Sequence, residues 1–270
     1  MSSSEAVLRE RRGAALWLTL NRPDVLNGLD QDVLDGLSAG LDAAEADPDV
    51  RAVVVAAAGR AFCAGADLAY ARALADADPP PGAASATNAF LHRVRTVLDR
   101  LEAFPRPVIA AVNGLAVGGG LELVLVCDVA IAARSARLGD GHAVYGQVPG
   151  GGASARLVRR LGLATAKHLM FTGTLFPAER FRGTDLLVDV VDDDDLVGAV
   201  DELVAVVAAR SPLGLAAMKH LANAAVDTPQ AVALTRELEV AALHERSADW
   251  REGIAAFAEK RTPVFPGSSR

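Results

Sequence analysis

The stretch GLAVGGGLELVLVCDVAIAA, Gly114 to Ala133, holds the pattern on which the fold turns. A buried strand, RPVIAAVNG, ends at Gly114. The chain then passes through three glycines into a helical pattern and out again into an apolar strand. Strand, turn, helix and strand in that order predict sheet layers covered by helices, an α/β architecture. A second turn has the same form. GRAFCAGADL, Gly59 to Leu68, leaves the β-branched run VRAVVVAAA through Gly65 and enters a helix near Asp67.

In both turns the first N–H groups of a helix lack intrahelical acceptors. If the turns lie side by side, N–H groups from each point at one carbonyl oxygen and stabilise negative charge developing there. Alternatively, the glycines serve only to let helix and strand pack tightly, and for either turn alone that is the better reading. Glu122 stands two residues beyond the glycines, in a first helical turn otherwise made of Leu121, Leu123, Val124 and Leu125. The helix dipole favours a carboxylate there on structural grounds alone. Apolar surroundings also raise its proton affinity toward that of a general base. Both roles stay open on these residues.

The rest of the chain fits around this centre. AVLRE and AALWLTL read as strands about Arg12–Gly13, followed by the loop NRPDVLNGL. Asp30 caps a helix carrying Val33, Leu34, Leu37 and Leu41 at helical spacing. Ala75–Asn88, rich in Pro, Ala and Gly, reads as a mobile surface loop. A helix over Ala89–Ala103 then presents Phe90, Val94, Val97, Leu98 and Leu101 on one face. From about Gly152 helical patterns dominate, with helices after Ser211–Pro212 and Thr228–Pro229, where proline takes the first helical position. A last helix holds DWREGIAAFAEKR. No internal repeat or linker is apparent. The expected organisation is a core over 1–200 and a C-terminal helical region over 201–270.

Composition sets the limits. The 270 residues are 51% apolar and carry a formal charge of −7, which leaves no electrostatic footprint for nucleic acid. The N-terminal residues lack the apolar segment of a secretory signal, and no apolar run has spanning length. The expected setting is cytoplasmic, without membrane contact. Cys63 and Cys127 lie in apolar runs without metal-ligand spacing and read as reduced core residues. The acidic run Asp192–Asp195 reads as the cap of a surface helix, and no metal site is expected.

The two turns, with PRPVIAAVNGLAVGGGLELVLVCDVAIAA (Pro105–Ala133) and the tail EGIAAFAEKRTPVF (Glu252–Phe265), resemble the crotonase superfamily, the enoyl-CoA hydratase/isomerase family. The resemblance extends from Leu18 over nearly the whole chain. It implies a spiral of ββα units with a C-terminal helical region that trimerises, often as a dimer of trimers. It also implies a coenzyme A thioester whose carbonyl accepts from the amides of Ala66 and Gly119, with an enolate intermediate. The substrate brings the coenzyme A, and no separate cofactor is implied. Glu122 falls on the first of the family's catalytic glutamates. Ala64, Ala66, Asp67, Leu68 and Arg22 fall on the substrate side, and Phe257 and Lys260 on tail positions that reach a neighbouring subunit's coenzyme A. Asp24 stands where a basic residue is common.

One departure concerns GDGHAVYGQVPGGG, Gly139 to Gly152. Hydratases read Gly-x-Pro-Glu where this chain reads GDGH, with Gly139, Gly146, Pro149, Gly150 and Gly152 in register. His142 therefore occupies the second glutamate's place. An imidazolium donates a proton at neutral pH, and Asp140 can orient the ring. Tyr145 offers a hydroxyl or a packing surface; His92 is read as solvent-facing. The resemblance implies a lyase adding water to a 2-enoyl-CoA. The alternatives are another reaction of the superfamily, such as C–C bond hydrolysis of a β-dicarbonyl or decarboxylation, or a catalytically weak acyl-CoA binder.

Overall fold

β-Branched and alternating apolar runs build the sheets, and helices with apolar stripes cover them. The protein is described by a computed structural model over residues 5–77 and 85–265. β1 (Val7–Arg12) and β2 (Ala15–Leu20) form an antiparallel hairpin about Gly13. The Asp30 carboxylate accepts from Val33 N at 2.9 Å and opens α1 (Gln31–Ala46). α1 buries Val33, Leu34, Leu37 and Leu41, as their spacing predicts. Then come β3 (Ala52–Ala57), β4 (Ala61–Cys63), α2 (Leu68–Ala75) and α3 (Ala86–Ala103). β5 (Val108–Val112), β6 (Leu115–Val117), α4 (Gly119–Leu125), β7 (Val129–Ala133) and β8 (Arg137–Gly139) follow. A 3₁₀ turn over His142–Tyr145 leads to α5 (Ala153–Leu161) and α6 (Leu163–Thr172). The chain continues through β9 (Phe176–Pro177), β10 (Asp189–Val191), α7 (Leu196–Ala208), α8 (Pro212–Ala225), α9 (Gln230–His244) and α10 (Ala248–Glu259).

The strands form a six-stranded sheet ordered β1-β2-β3-β5-β7-β10 and a four-stranded sheet ordered β4-β6-β8-β9. Consecutive strands divide between them: β3 then β4, β5 then β6, β7 then β8, with helices after each pair. This is the expected ββα spiral. It brings the ends of β4 and β6, with the glycine turns that follow them, onto one small sheet. Alternation along β3 divides its side chains between the sheet's faces. Val53 and Val55 join the main core, while Ala52, Val54 and Ala56 join a second cluster under Leu196, Val200 and Val204 of α7. Cys63 and Cys127 are unpaired and fully buried, and burial pushes both thiols up to about 12. No helix among the described residues is long and apolar enough to cross a membrane.

Several boundaries differ from the sequence reading. Ala75 closes α2 and Ala86–Asn88 open α3, because the Ser85 hydroxyl accepts from Asn88 N at 3.1 Å. The centre of the expected 75–88 loop, residues 78–84, lies outside the described residues. Pro229 occupies the N-cap of α9 rather than its first turn, whereas Pro212 does open α8. The stretch after Gly152 also contains β9 and β10, too short to register as a period. The acidic run does not cap α7 through a side chain. Asp192 instead pairs with Arg134 at 2.7 Å and Asp193 accepts from Ser135 N at 3.0 Å, fastening the β7–β8 turn.

Candidate active site

The two glycine turns lie against each other. A Cβ placed on Gly65 would stand 3.1 Å from Val117 O and 3.3 Å from Gly119 N; one on Gly120 would stand 2.0 Å from Cys63 O. Gly65 also has φ +91°, a conformation costly for any side-chain-bearing residue. The glycines allow the two turns to touch, and the contact sets Gly119 N against Gly65, the residue before Ala66. Among the described residues, neither Ala66 N–H nor Gly119 N–H has an acceptor in the protein. By contrast, Ala64 N donates to Leu26 O at 3.0 Å.

The NRPDVLNGL loop underlies the first turn. Leu26 and Asn27 both hold left-handed backbone, at φ +54° and +56°. Buried Asn27 supports this bend, accepting from Arg22 N at 2.8 Å and donating to Ala58 O and Ala61 O at 2.9 and 2.8 Å. Arg22, expected on the substrate side, points its guanidinium at protein groups. It meets the carboxylates of Asp30 at 2.9 Å and Asp67 at 2.8 Å, and donates to Gly28 O at 2.8 Å. Asp67 is likewise engaged, capping α2 by accepting from Ala69 N and Tyr70 N. Burial pushes its carboxyl up, but Tyr70 N–H, Arg22 and Ala69 N–H together hold it below its ordinary value. Leu68, next in the chain, is exposed. Asp24 lies in the 3₁₀ turn Pro23–Val25.

Across the second turn, α4 carries Glu122 into the interior. Its carboxylate accepts from Ala153 N at 3.0 Å, and the Gly151 N–H nearby also favours its charged form. A Cβ on Gly151 would stand 2.5 Å from Glu122 Oε2, so no larger residue fits there without moving the carboxylate. Burial raises the Glu122 pKa above its ordinary value, and Asp140 adds to the rise. Ala153 N–H, His142 and Gly151 N–H offset only part of it.

His142 opens the 3₁₀ turn after β8, and its Nδ1 lies 3.1 Å from Asp140 Oδ1. Bonding to a carboxylate assigns the proton to Nδ1 and leaves Nε2 for chemistry. Nε2 lies 3.8 Å from where a Cβ on Gly118 would stand, beside the glycine turn. Burial pulls the ring's pKa down, but the Asp140 hydrogen bond and the charges of Asp140 and Glu122 outweigh it and raise it. Asp140 is buried, and its Oδ2 has no partner among the described residues.

Buried Arg156 supports the loop that holds Glu122. It donates to Gly151 O at 2.7 Å and pairs with Glu102 at 2.6 Å and Asp99 at 2.7 Å. The sequence reading passed over Arg156, Asn27 and the amides of Gly151 and Ala153. A signal for Arg156 existed, since it shares the buried face of α5 with Ala153 and Leu157. The fold thus gathers Ala66, Gly119, Glu122, His142 and Asp140. Tyr145 closes the same 3₁₀ turn as His142 and is 76% exposed. Phe257, 87% exposed, and Lys260, the left-handed C-cap of α10, present their side chains to solvent at the far end of the chain.

The profile of the enoyl-CoA hydratase/isomerase family matches residues 10–268. The chain belongs to this family. It is 36% identical over 258 residues to the 2,3-dehydroadipyl-CoA hydratase of Escherichia coli (strain K12), covering 95% of this chain and 97% of the relative. It is 35% identical over 263 residues to the 1,2-epoxyphenylacetyl-CoA isomerase of the same organism, covering 97% and 99%. A crystal structure of an enoyl-CoA hydratase from Bacillus anthracis superposes with a TM-score of 0.89 at 32% identity, covering 97% of this chain and 100% of that one. This family member has the crotonase fold. One of these relatives is named a hydratase and another an isomerase, so the choice between reactions rests on the site.

Proposed function

We propose that this protein is a hydro-lyase adding water to a 2-enoyl-CoA. The family's reactions on coenzyme A thioesters supply the substrate class. The observation that carries the proposal is that Glu122 and the Asp140–His142 pair meet beside the two unpaired amides. The thioester carbonyl accepts from Ala66 N–H and Gly119 N–H. The Glu122 carboxylate takes a proton from water as its oxygen bonds to the β-carbon. Electrons move into the carbonyl and form an enolate held by the two amides. The His142 imidazolium then gives its Nε2 proton to the α-carbon. An oxyanion donor of this kind contributes ~10²–10³ in rate, and a placed base ~10²–10⁴.

The test is loss of conjugated-enoyl absorbance with crotonyl-CoA and a longer 2-enoyl-CoA. Turnover is expected in the native protein, with a fall of ~10²–10⁴ in Glu122→Gln. Acyl-CoA binding with no turnover of any enoyl-CoA sinks hydration. A second reading then gains, because His142 bonded to Asp140 also acts as a base once deprotonated. It would direct water at a β-dicarbonyl substrate with C–C cleavage, which conversion of a β-keto thioester would reveal. Binding with no product from either substrate class leaves an acyl-CoA-binding homologue. We further propose that the chain assembles as a trimer through its C-terminal helices, with Phe257 and Lys260 reaching a neighbour's coenzyme A.

A further inference from the structure

Resting on the thioester reading above, we propose that Arg22 is a positioning residue for the oxyanion site, holding the Ala66 amide in place. Ala66 lies on the short link between β4 and α2, exposed, and follows Gly65 with its unrestricted backbone. Its own side chain is one methyl group and anchors nothing. What locates it is a single parallel bridge between Leu29 and Ala66. In that bridge Leu29 N donates to Gly65 O at 2.7 Å and Asp67 N donates to Leu29 O at 2.9 Å. The residues on either side of Ala66 are thus tied to one backbone position of the NRPDVLNGL loop.

Arg22 holds both halves of that bridge. On one side it grips Gly28 O and the Asp30 carboxylate, which flank Leu29. On the other it grips the Asp67 carboxylate, which adjoins Ala66. A planar guanidinium with fixed donor directions sets angles as well as distances, which a point charge cannot do. Both carboxylates are buried and both contribute an oxygen to the same cation. Without Arg22 they would repel each other across the bridge, forcing apart the two segments whose spacing sets where Ala66 N–H points. An oxyanion donor works only within a narrow distance of the developing charge. The same contacts turn the guanidinium toward protein groups.

The experiment compares Arg22→Met, Arg22→Lys and Asp67→Asn with the native protein, using butyryl-CoA labelled with ¹³C at the carbonyl. The infrared stretch of that carbonyl reads hydrogen bonding directly. In the native complex it is expected below that of free butyryl-CoA. In Arg22→Met it should return toward the free value, with crotonyl-CoA turnover down about tenfold to a hundredfold, less than outright loss of a donor, and KM nearly constant. Arg22→Lys should recover part of both. Where Arg22→Met does not fold, Asp67→Asn answers instead, because asparagine still caps α2 while the ion pair is gone. A folded variant with native band and native turnover overturns the proposal, as does a higher KM with band and turnover unchanged, the mark of a phosphate contact. A native protein that shifts the band yet turns over no enoyl-CoA loses the hydration reading and keeps this one. Failure to bind butyryl-CoA overturns both.

Discussion

At the residue scale, the site is set by where burial and charge oppose each other. Burial raises the Glu122 pKa, and the charges of Asp140 and Glu122 raise that of His142 against the pull of burial. Hydration needs the first deprotonated and the second protonated. Turnover should rise as pH climbs through the raised Glu122 pKa and fall as pH climbs through the raised His142 pKa. A bell-shaped profile of kcat/KM is the expected outcome. Asp140→Asn removes one of the charges holding the imidazolium and weakens its hydrogen bond from charged to neutral, so its alkaline limb should move to lower pH while the acid limb shifts less. Moving Asp140 from carboxylate to amide without moving either limb would show that His142 is not the proton donor. Of these residues, Glu122 was legible because a carboxylate set among leucines is seldom buried without a partner or a task. The free amides of Ala66 and Gly119 were legible from glycine placement and the family resemblance. Asn27 was not, since its hydrogen bonds to Ala58 O and Ala61 O span more than thirty positions, and for Arg156 only its place on the buried face of α5 was readable, not its partner Glu102, 54 positions away.

At the element scale, helical stripes were readable wherever one face alone is apolar. α1 and α3 bury the residues their spacing indicated. β9 and β10, two and three residues long, carry no period and escaped notice. The role of α7 was also hidden, because its sequence, LVGAVDELVAVVA, is apolar nearly all round and does not declare which face is inside. The fold decides: Leu196, Val200 and Val204 cover the face of the large sheet turned away from the main core. The glycine turns belong with the other cluster, through Leu29, Cys63 and Leu121. Leu196→Ala should therefore cost ~2–5 kcal/mol in stability, measured by denaturant unfolding. Turnover per folded molecule should be unchanged. A fall in turnover matching the loss of stability would place α7 in the catalytic unit rather than behind it.

At the scale of the whole molecule, the C-terminal helices are unlike the rest. α8 is tied to the core by Lys219, which meets Asp128 at 2.7 Å, and its N-cap Ser211 donates to Asp249 of α10 at 2.6 Å. Yet α8 and α9 leave Met218 66% and Leu238 74% exposed, beside Leu234 and Leu243. Apolar surface on this scale in a lone chain marks an interaction surface. Phe257 on α10 and Lys260 at its C-cap are exposed, as the proposed contribution to a neighbour's site requires. Light scattering coupled to size exclusion should therefore report about the mass of three chains, or six if trimers pair face to face. Leu238→Glu should drive the assembly toward monomer by placing a charge in the contact. If the site is completed across the interface, that monomer should keep its fold by circular dichroism and bind butyryl-CoA more weakly. Phe257→Ala should weaken binding while the native mass persists. A monomer with undiminished butyryl-CoA affinity would mean that each chain carries a complete site and that the exposed helix faces serve some other contact.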